Sequence, residues 1–249
     1  MNPGQWKSLP WHPKVRVLDS DDEWVAVEKP AGVLSHPNGP GDRGRCLLRA
    51  PWEKRTESYR PGEGPDGGIG LCHRLDGPTS GVILLAAGEG VGRLRRAFED
   101  GRIRKRYWAV VVGRPEQRRF LWRDRLVKEK EGGKVRVRVG SSGREAETRG
   151  EEKDFRRDPL PLALLLLEPG TGRTHQLRVQ AARHGLPILG DRNYGDFGAN
   201  RVFRSRFSTR RLFLHAWDLR WTWKGREARV AAEVPGEFVS LFSAAELTS

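Results

Sequence analysis

One carboxylate, Asp76, stands in the string His73-Arg74-Leu75-Asp76-Gly77-Pro78-Thr79-Ser80-Gly81, and the apolar run Val82-Ile83-Leu84-Leu85-Ala86 follows at once. Gly77 and Pro78 argue against a helix through Asp76, because proline lacks a helical N–H and restricts the residue before it. The β-branched and apolar residues from Val82 read as a short buried strand. Together these place Asp76 in a turn that feeds a core strand, where a side chain is held rigidly. The plain alternative is an aspartate that merely caps a turn.

A chain of 249 residues can bury a substantial core, and one domain is expected, with residues 1–14 as an N-terminal arm. No apolar run approaches the roughly 18 residues needed to span a bilayer, and the start at Met1 lacks a signal-peptide stretch, so a cytoplasmic protein is expected. Cys46 and Cys72 have no metal-ligand spacing and read as reduced thiols. Lys and Arg number 46 against 32 Asp and Glu, a formal charge of +14. The sequence pI of about 10.5 makes a polyanion the natural partner. Arginines gather at Arg93–Arg106 and again at Arg201, Arg204, Arg206, Arg210 and Arg211. Guanidinium forks suit bidentate contacts to phosphate.

Along the chain, residues 15–34 read as two strands around a polar turn. Residues 38–70 are rich in Gly and Pro and read as a long excursion, with a short helix at 45–55. Residues 90–101 show helical spacing of Val91, Leu94 and Phe98, and 105–112 form a strand. The strict alternation of Lys134-Val135-Arg136-Val137-Arg138-Val139 predicts a half-exposed strand, either a solvated face or a nucleic-acid contact ribbon. Leu162-Ala163-Leu164-Leu165-Leu166-Leu167 predicts a core strand, residues 177–184 a helix, 213–219 and 229–232 late strands, and 237–247 a C-terminal helix. Hairpins with a few helices favour an α+β fold on a largely antiparallel mixed sheet with flanking helices.

The His-Arg-Leu-Asp segment with Thr-Ser-Gly after it resembles the signature of the RluA-like family of RNA pseudouridine synthases. Four further segments match in order: Glu28-Lys29-Pro30-Ala31-Gly32, Lys105-Arg106-Tyr107, Thr171-Gly172-Arg173-Thr174-His175-Gln176-Leu177-Arg178, and Arg211-Leu212-Phe213-Leu214-His215-Ala216. The resemblance implies a single catalytic domain over residues 15–249 with a central RNA-binding cleft. It implies no cofactor and no metal, and structured RNA, ribosomal or transfer, as partner of a monomer. Relatives often carry a small N-terminal S4 domain, for which 14 residues leave no room.

The implied reaction breaks the N1–C1′ bond of uridine, rotates the uracil and joins C5 to C1′ without losing the base. A carboxylate can hold the fragment by adding to C6 or by acting at C1′, and the sequence leaves both open. The resemblance gives that role to Asp76. A carboxylate kept ionised beside a base needs an adjacent cation, and the resemblance supplies Arg178. It also makes Tyr107 the residue that packs on the extruded base and a candidate for handling the C5 proton. Arg74 is implied to fill the space the flipped base leaves. Lys29, Arg173 and Arg211 are assigned to RNA phosphates or the active-site rim, and His73, Thr79, His175, Gln176 and Leu177 to the substrate-binding motifs.

The histidines His73, His175 and His215 lack the spacing of a zinc site and are expected to hydrogen-bond backbone. No hydrolase elbow or phosphate-binding loop is present. Gly77-Pro78 replaces a charged pair frequent in the family, and Gln180 and Leu186 replace frequent histidines, departures that bear on substrate rather than activity. Target recognition is expected to fall to residues 38–70 and 115–153. The rival reading is a basic RNA-binding or ribosome-assembly protein on the same scaffold without turnover.

Overall fold

A computed structural model describes residues 1–62, 68–131, 134–242 and 247. The chain packs as two compact units, Met1–Ile103 with Ala216–Glu233, and Arg104–His215 with Val234–Ser249. Among the described residues no helix is long and apolar enough to cross a membrane.

The first unit opens with helix α1 (Pro3–Lys7), followed by β1 (Arg16–Ser20) and β2 (Trp24–Lys29). A 3-10 turn, Pro40–Arg45, leads to β3 (Trp52–Glu53), β4 (Ser58–Tyr59) and β5 (Ile69–Leu71). The core strand β6 (Ser80–Ala87) and helix α2 (Glu89–Glu99) complete this segment. Strand β6 pairs antiparallel with β2, from Trp24 opposite Ala86 to Lys29 opposite Gly81, and its last residues pair with β5. Side chains alternate across these strands as a period of two requires. Val25, Val27, Ile83 and Leu85 enter one apolar cluster with Trp6, Leu47 and Leu48. Trp24, Ala26, Val82 and Leu84 enter another with Leu94 and Trp221. The run read as a short buried strand is therefore buried on both faces.

The helix expected at 45–55 is absent. Cys46, Leu47 and Leu48 are all fully buried in succession, which a one-sided helix does not do. Cys46 and Leu48 instead bridge to Leu34 and Trp11, and Pro51 ends any helical option.

The second unit contains β7 (Arg104–Val112), β8 (Arg119–Glu131), β9 (Lys134–Val139), β10 (Arg144–Arg156) and β11 (Leu162–Pro169). Their order is β7-β11-β10-β8-β9, antiparallel throughout, with a register shift in β10 between Glu152 and Asp154. Helices α3 (Gln176–Arg183) and α4 (Phe197–Phe207) follow. Val179 of α3 packs with Leu126, Val137 and Ala146, so the apolar positions of the alternating β9 face α3. On the other face Arg138 pairs with Glu129, and on the neighbouring strands Arg119 pairs with Glu151 and Arg123 with Glu147. Residues 115–153 are mostly strand, in β8, β9 and β10, with 115–118 and 140–143 as connections and 132–133 outside the described residues.

Strand β12 (Leu214–Trp223) and its antiparallel partner β13 (Arg226–Ala231) precede a short helix, α5 (Gly236–Val239). The C-terminal helix expected at 237–247 is this single turn as far as Val239; residues 243–246 of that expectation lie outside the described residues. The mixed α+β architecture on mainly antiparallel strands agrees with the sequence reading.

Candidate active site

Asp76 lies half-buried in a turn closed by the Thr79 N–H donating to its carbonyl at 3.0 Å. Both chain neighbours are pinned. Before it, the Ser35 hydroxyl donates to the Leu75 carbonyl at 2.8 Å and accepts the Leu75 N–H at 3.2 Å. The Tyr59 hydroxyl in turn holds the Ser35 carbonyl at 2.6 Å. After it, the Gly77 carbonyl accepts from the Gly32 N–H at 2.8 Å and from the Lys29 ammonium at 3.0 Å. Lys29 also donates to the carbonyls of Val33 at 2.7 Å and Pro30 at 3.2 Å. Gly81, at φ +118°, passes so close to β12 that a Cβ would lie 2.0 Å from the Ala216 carbonyl oxygen. Only glycine fits there.

Lys29 is wholly buried. Burial pushes its pKa down to about 7, and the charge of Asp76 opposes the fall. A titratable cation therefore lies within electrostatic reach of the carboxylate. His73 accepts the Leu84 N–H on Nε2 at 3.0 Å, which puts the proton of a neutral ring on Nδ1, and it stacks on Phe98 with centroids 4.4 Å apart. Arg74 is half exposed, 3.8 Å from Glu57 and 3.2 Å from His36 Nε2.

In the second unit, His175 adopts a left-handed backbone, φ 53°, immediately before α3. Its Nδ1 lies 2.8 Å from the Tyr194 hydroxyl. Buried Gln176 organises the preceding turn: its Oε1 accepts from the Thr171 hydroxyl at 2.7 Å and the Arg173 N–H at 3.0 Å, and its Nε2 donates to the Glu147 carbonyl at 3.0 Å. Arg178, also buried, forks onto Asp191 with Nε at 2.7 Å and a terminal nitrogen at 2.8 Å, and its guanidinium lies 5.2 Å from the Tyr194 ring centre. Burial works against ionising Asp191, but the Arg178 fork and N–H groups of Asn193 and Tyr194 outweigh it and hold its pKa below the usual range. Asn200 clamps this corner, accepting the Gly190 N–H at 2.7 Å and donating to the Asp191 carbonyl at 3.0 Å. Tyr107, on β7 opposite Leu167, is 9% exposed. Among the described residues no cluster of His, Cys, Asp and Glu suited to a metal ion is present.

A family model described as RNA pseudouridylate synthase matches residues 23–183, a span that takes in both motif turns. The chain belongs to the RNA pseudouridylate synthase family. It is 33% identical over 218 residues to tRNA pseudouridine synthase C of Vibrio cholerae, a match covering 83% of this chain and 84% of that protein. It is 31% identical over 230 residues to the dual-specificity RNA pseudouridine synthase RluA of Escherichia coli O6:H1, covering 92% and 96%. The solved structure of human RNA pseudouridylate synthase domain containing 4 superimposes with a TM-score of 0.65 at 25% identity, covering 90% of each chain. The protein is an RNA pseudouridine synthase, an isomerase acting on RNA.

Seen in this synthase, the motif residues divide by location. Lys29, His73, Arg74, Asp76 and Thr79 gather around the turn of the first unit, and Arg173 through Arg178 around that of the second. Of the two places given to Lys29, RNA phosphates or the active-site rim, the first is corrected: its ammonium, at zero exposure on three carbonyls, braces the Asp76 turn. Arg211 is likewise mostly buried, bonded to Glu237 at 3.1 Å and lying over Phe213 and Phe238, and so is not presented to a phosphate. Thr79, Gln176 and Leu177 are interior residues. His73 bonds backbone as expected, whereas His175 meets a side chain, the Tyr194 hydroxyl. Asp191 and Asn200 escape a reading of motifs. Their signal lies in Gly190-Asp191-Arg192-Asn193-Tyr194-Gly195, a turn-rich string with one acid, and in the spacing of Ala199, Phe203 and Phe207.

Proposed function

We propose that this synthase isomerises uridines in structured transfer RNA with Asp76 as the nucleophile, acting as a monomer through one catalytic domain. The observation that carries the reading is the Asp76 turn, whose two flanking residues are held by side chains on either side. Fixed geometry is what a nucleophile meeting an extruded base requires, since misplacement by about 1 Å can cost about 100-fold in rate. In the reaction N1–C1′ breaks and C5–C1′ forms, the C5 hydrogen leaves as a proton and N1 gains one. Asp76 retains the fragment through C6 of the uracil or through C1′ of the ribose. The family resemblance gives Arg178 the part of charge partner to Asp76, Tyr107 the stacking face and Arg74 the place vacated by the base. A half-exposed Arg74 with only a loose ion pair is suited to such a move.

Transfer RNA is favoured because the Vibrio cholerae relative acts, by its name, on transfer RNA, while the Escherichia coli relative is named a dual-specificity RNA synthase. The test is incubation of the protein with separate transfer and ribosomal RNA from cells lacking its gene, then digestion to nucleosides and chromatographic separation of pseudouridine from uridine. New pseudouridine in the transfer RNA is expected. Pseudouridine confined to the ribosomal RNA overturns the substrate assignment.

A further inference from the structure

Helix α4 carries a surface that the chemistry above does not use. Its inner side is fixed: Ala199 and Phe203 are buried, Phe203 stacks on Phe207 with centroids 4.5 Å apart and meets Phe213 edge-on at 5.4 Å, and Asp196 caps the first turn through the Ala199 N–H at 2.9 Å. Asn200 ties the same side to the Gly190–Asp191 corner. The helix is thus a rigid platform rather than a loosely attached segment. At about 100° per residue, Arg201 and Arg204 lie about 60° apart on the outer side, while Arg206 lies about 140° from Arg201, toward the edge beside Ala199. All three are exposed, as are Arg192 just before the helix and Arg210 just after it.

The helix contains no acidic residue between Phe197 and Phe207, and among the described residues none of these five arginines makes an ion pair. The macrodipole rationalises basic residues in the last turn, at about 0.3–1 kcal/mol each, but neither Arg201 nor the missing acids. On the sheet of the same unit several exposed arginines are matched to glutamates, as Arg119, Arg123 and Arg138 are. Unmatched guanidinium groups on a fixed helix suit phosphate oxygens. Phe197, 62% exposed, adds an aromatic face on which an unpaired base can stack.

We propose that the outer face of α4 docks the phosphate backbone of the RNA substrate, outside the nucleotide that reacts; this rests on the RNA-isomerase reading above. The test compares two triple variants that remove equal charge, Arg201→Gln/Arg204→Gln/Arg206→Gln on α4 and Arg119→Gln/Arg123→Gln/Arg138→Gln on the sheet. Binding of bulk transfer RNA is titrated at several salt concentrations, and KM for isomerisation is measured beside it. Losing three phosphate contacts should flatten the slope of log affinity against log salt by about 2, at about 0.7 per contact on single-stranded stretches. The α4 triple should bind at least about tenfold more weakly near 0.15 M salt, with KM rising in parallel, and the sheet triple less than about twofold more weakly. If thermal unfolding shows the α4 triple damaged, Arg201→Glu alone is used, with the same direction expected. Equal weakening by both triples, or an unchanged slope in the α4 variant, overturns the proposal. Wild-type binding without any pseudouridine formation instead removes the isomerase reading and leaves the binding comparison intact.

Discussion

Two buried cations hold the two motif turns, and they are held in opposite ways. Lys29 in the first unit donates to three backbone carbonyls, those of Pro30, Val33 and Gly77. Arg178 in the second unit is forked onto a buried carboxylate, Asp191. A lysine among carbonyls can shed its proton at moderate cost, and burial brings its pKa to about 7. An arginine on an aspartate cannot, because the guanidinium stays charged throughout the accessible range and the pair stabilises itself. The difference teaches that the Asp76 turn is set by geometry, through polar backbone groups that need a donor, whereas the Arg178 corner is set by charge.

The largest effect is expected where a charge is stranded. Arg178→Met leaves Asp191 buried without its partner and should destabilise the protein by about 3–5 kcal/mol in urea unfolding. Adding Asp191→Leu should restore most of that loss while activity stays absent. Stability that fails to return would mean that charge is not what holds the corner.

Next comes Lys29→Met, which removes one donor from each of three carbonyls, of which Gly77 keeps the Gly32 N–H and Pro30 the Val33 N–H. The cost of about 1–3 kcal/mol for a buried carbonyl left unmet is partly offset by removing a buried charge, so a net loss of about 2 kcal/mol is expected. Because Gly77 loses one of its two holds, kcat should fall more than KM rises. A variant with wild-type kcat would show that the lysine strut does not position Asp76.

The pH dependence of stability sharpens the contrast. The Lys29 pKa is lower folded, about 7, than its usual 10.5. Above pH 7 the unfolded chain therefore holds more protons, and stability rises with pH, by up to about 1.4 kcal/mol per pH unit. The usable window is pH 7 to about 8.5, since Cys46 and Cys72, pushed by burial to about 11 and 12 when folded, reverse the slope once unfolded thiols ionise near their ordinary value of about 8.5. Lys29→Met should lose this rise, and parallel curves for variant and wild type would contradict it. Asp191, with a depressed pKa, has the opposite signature: its contribution is full at neutral pH and lost only as pH falls through the carboxylate range.

The smallest stability change should come from Arg74→Ala. Its ion pair with Glu57 is 3.8 Å long between half-exposed side chains, so less than about 0.5 kcal/mol is expected, with a clear loss of turnover. A large loss of stability would make Arg74 a structural residue.

The sequence carried the Asp76 turn because Gly, Pro and a β-branched run are local signals, and the strands β6, β7, β9 and β11 for the same reason. The helices α2 and α3 were legible within a residue or two of their observed ends. What was hidden depends on partners distant in sequence. Cys46, Leu47 and Leu48 look helical until Leu34 and Trp11 claim their backbone. Lys29 looks like a surface cation until Val33 and Gly77 enclose it. Asp191 and Asn200 matter only because the chain returns to Arg178 and Gly190. Charge clusters were visible, but whether an arginine is matched by a glutamate on the neighbouring strand was not.

The most direct test of the central claim, that the pinned Asp76 carries out the isomerisation, is tritium release from transfer RNA labelled at uracil C5, because joining C5 to C1′ must expel that hydrogen. Wild-type protein should release tritium in step with pseudouridine formation, while Asp76→Asn should bind the same RNA and release none. Release by Asp76→Asn at a rate near that of the wild type would contradict the account.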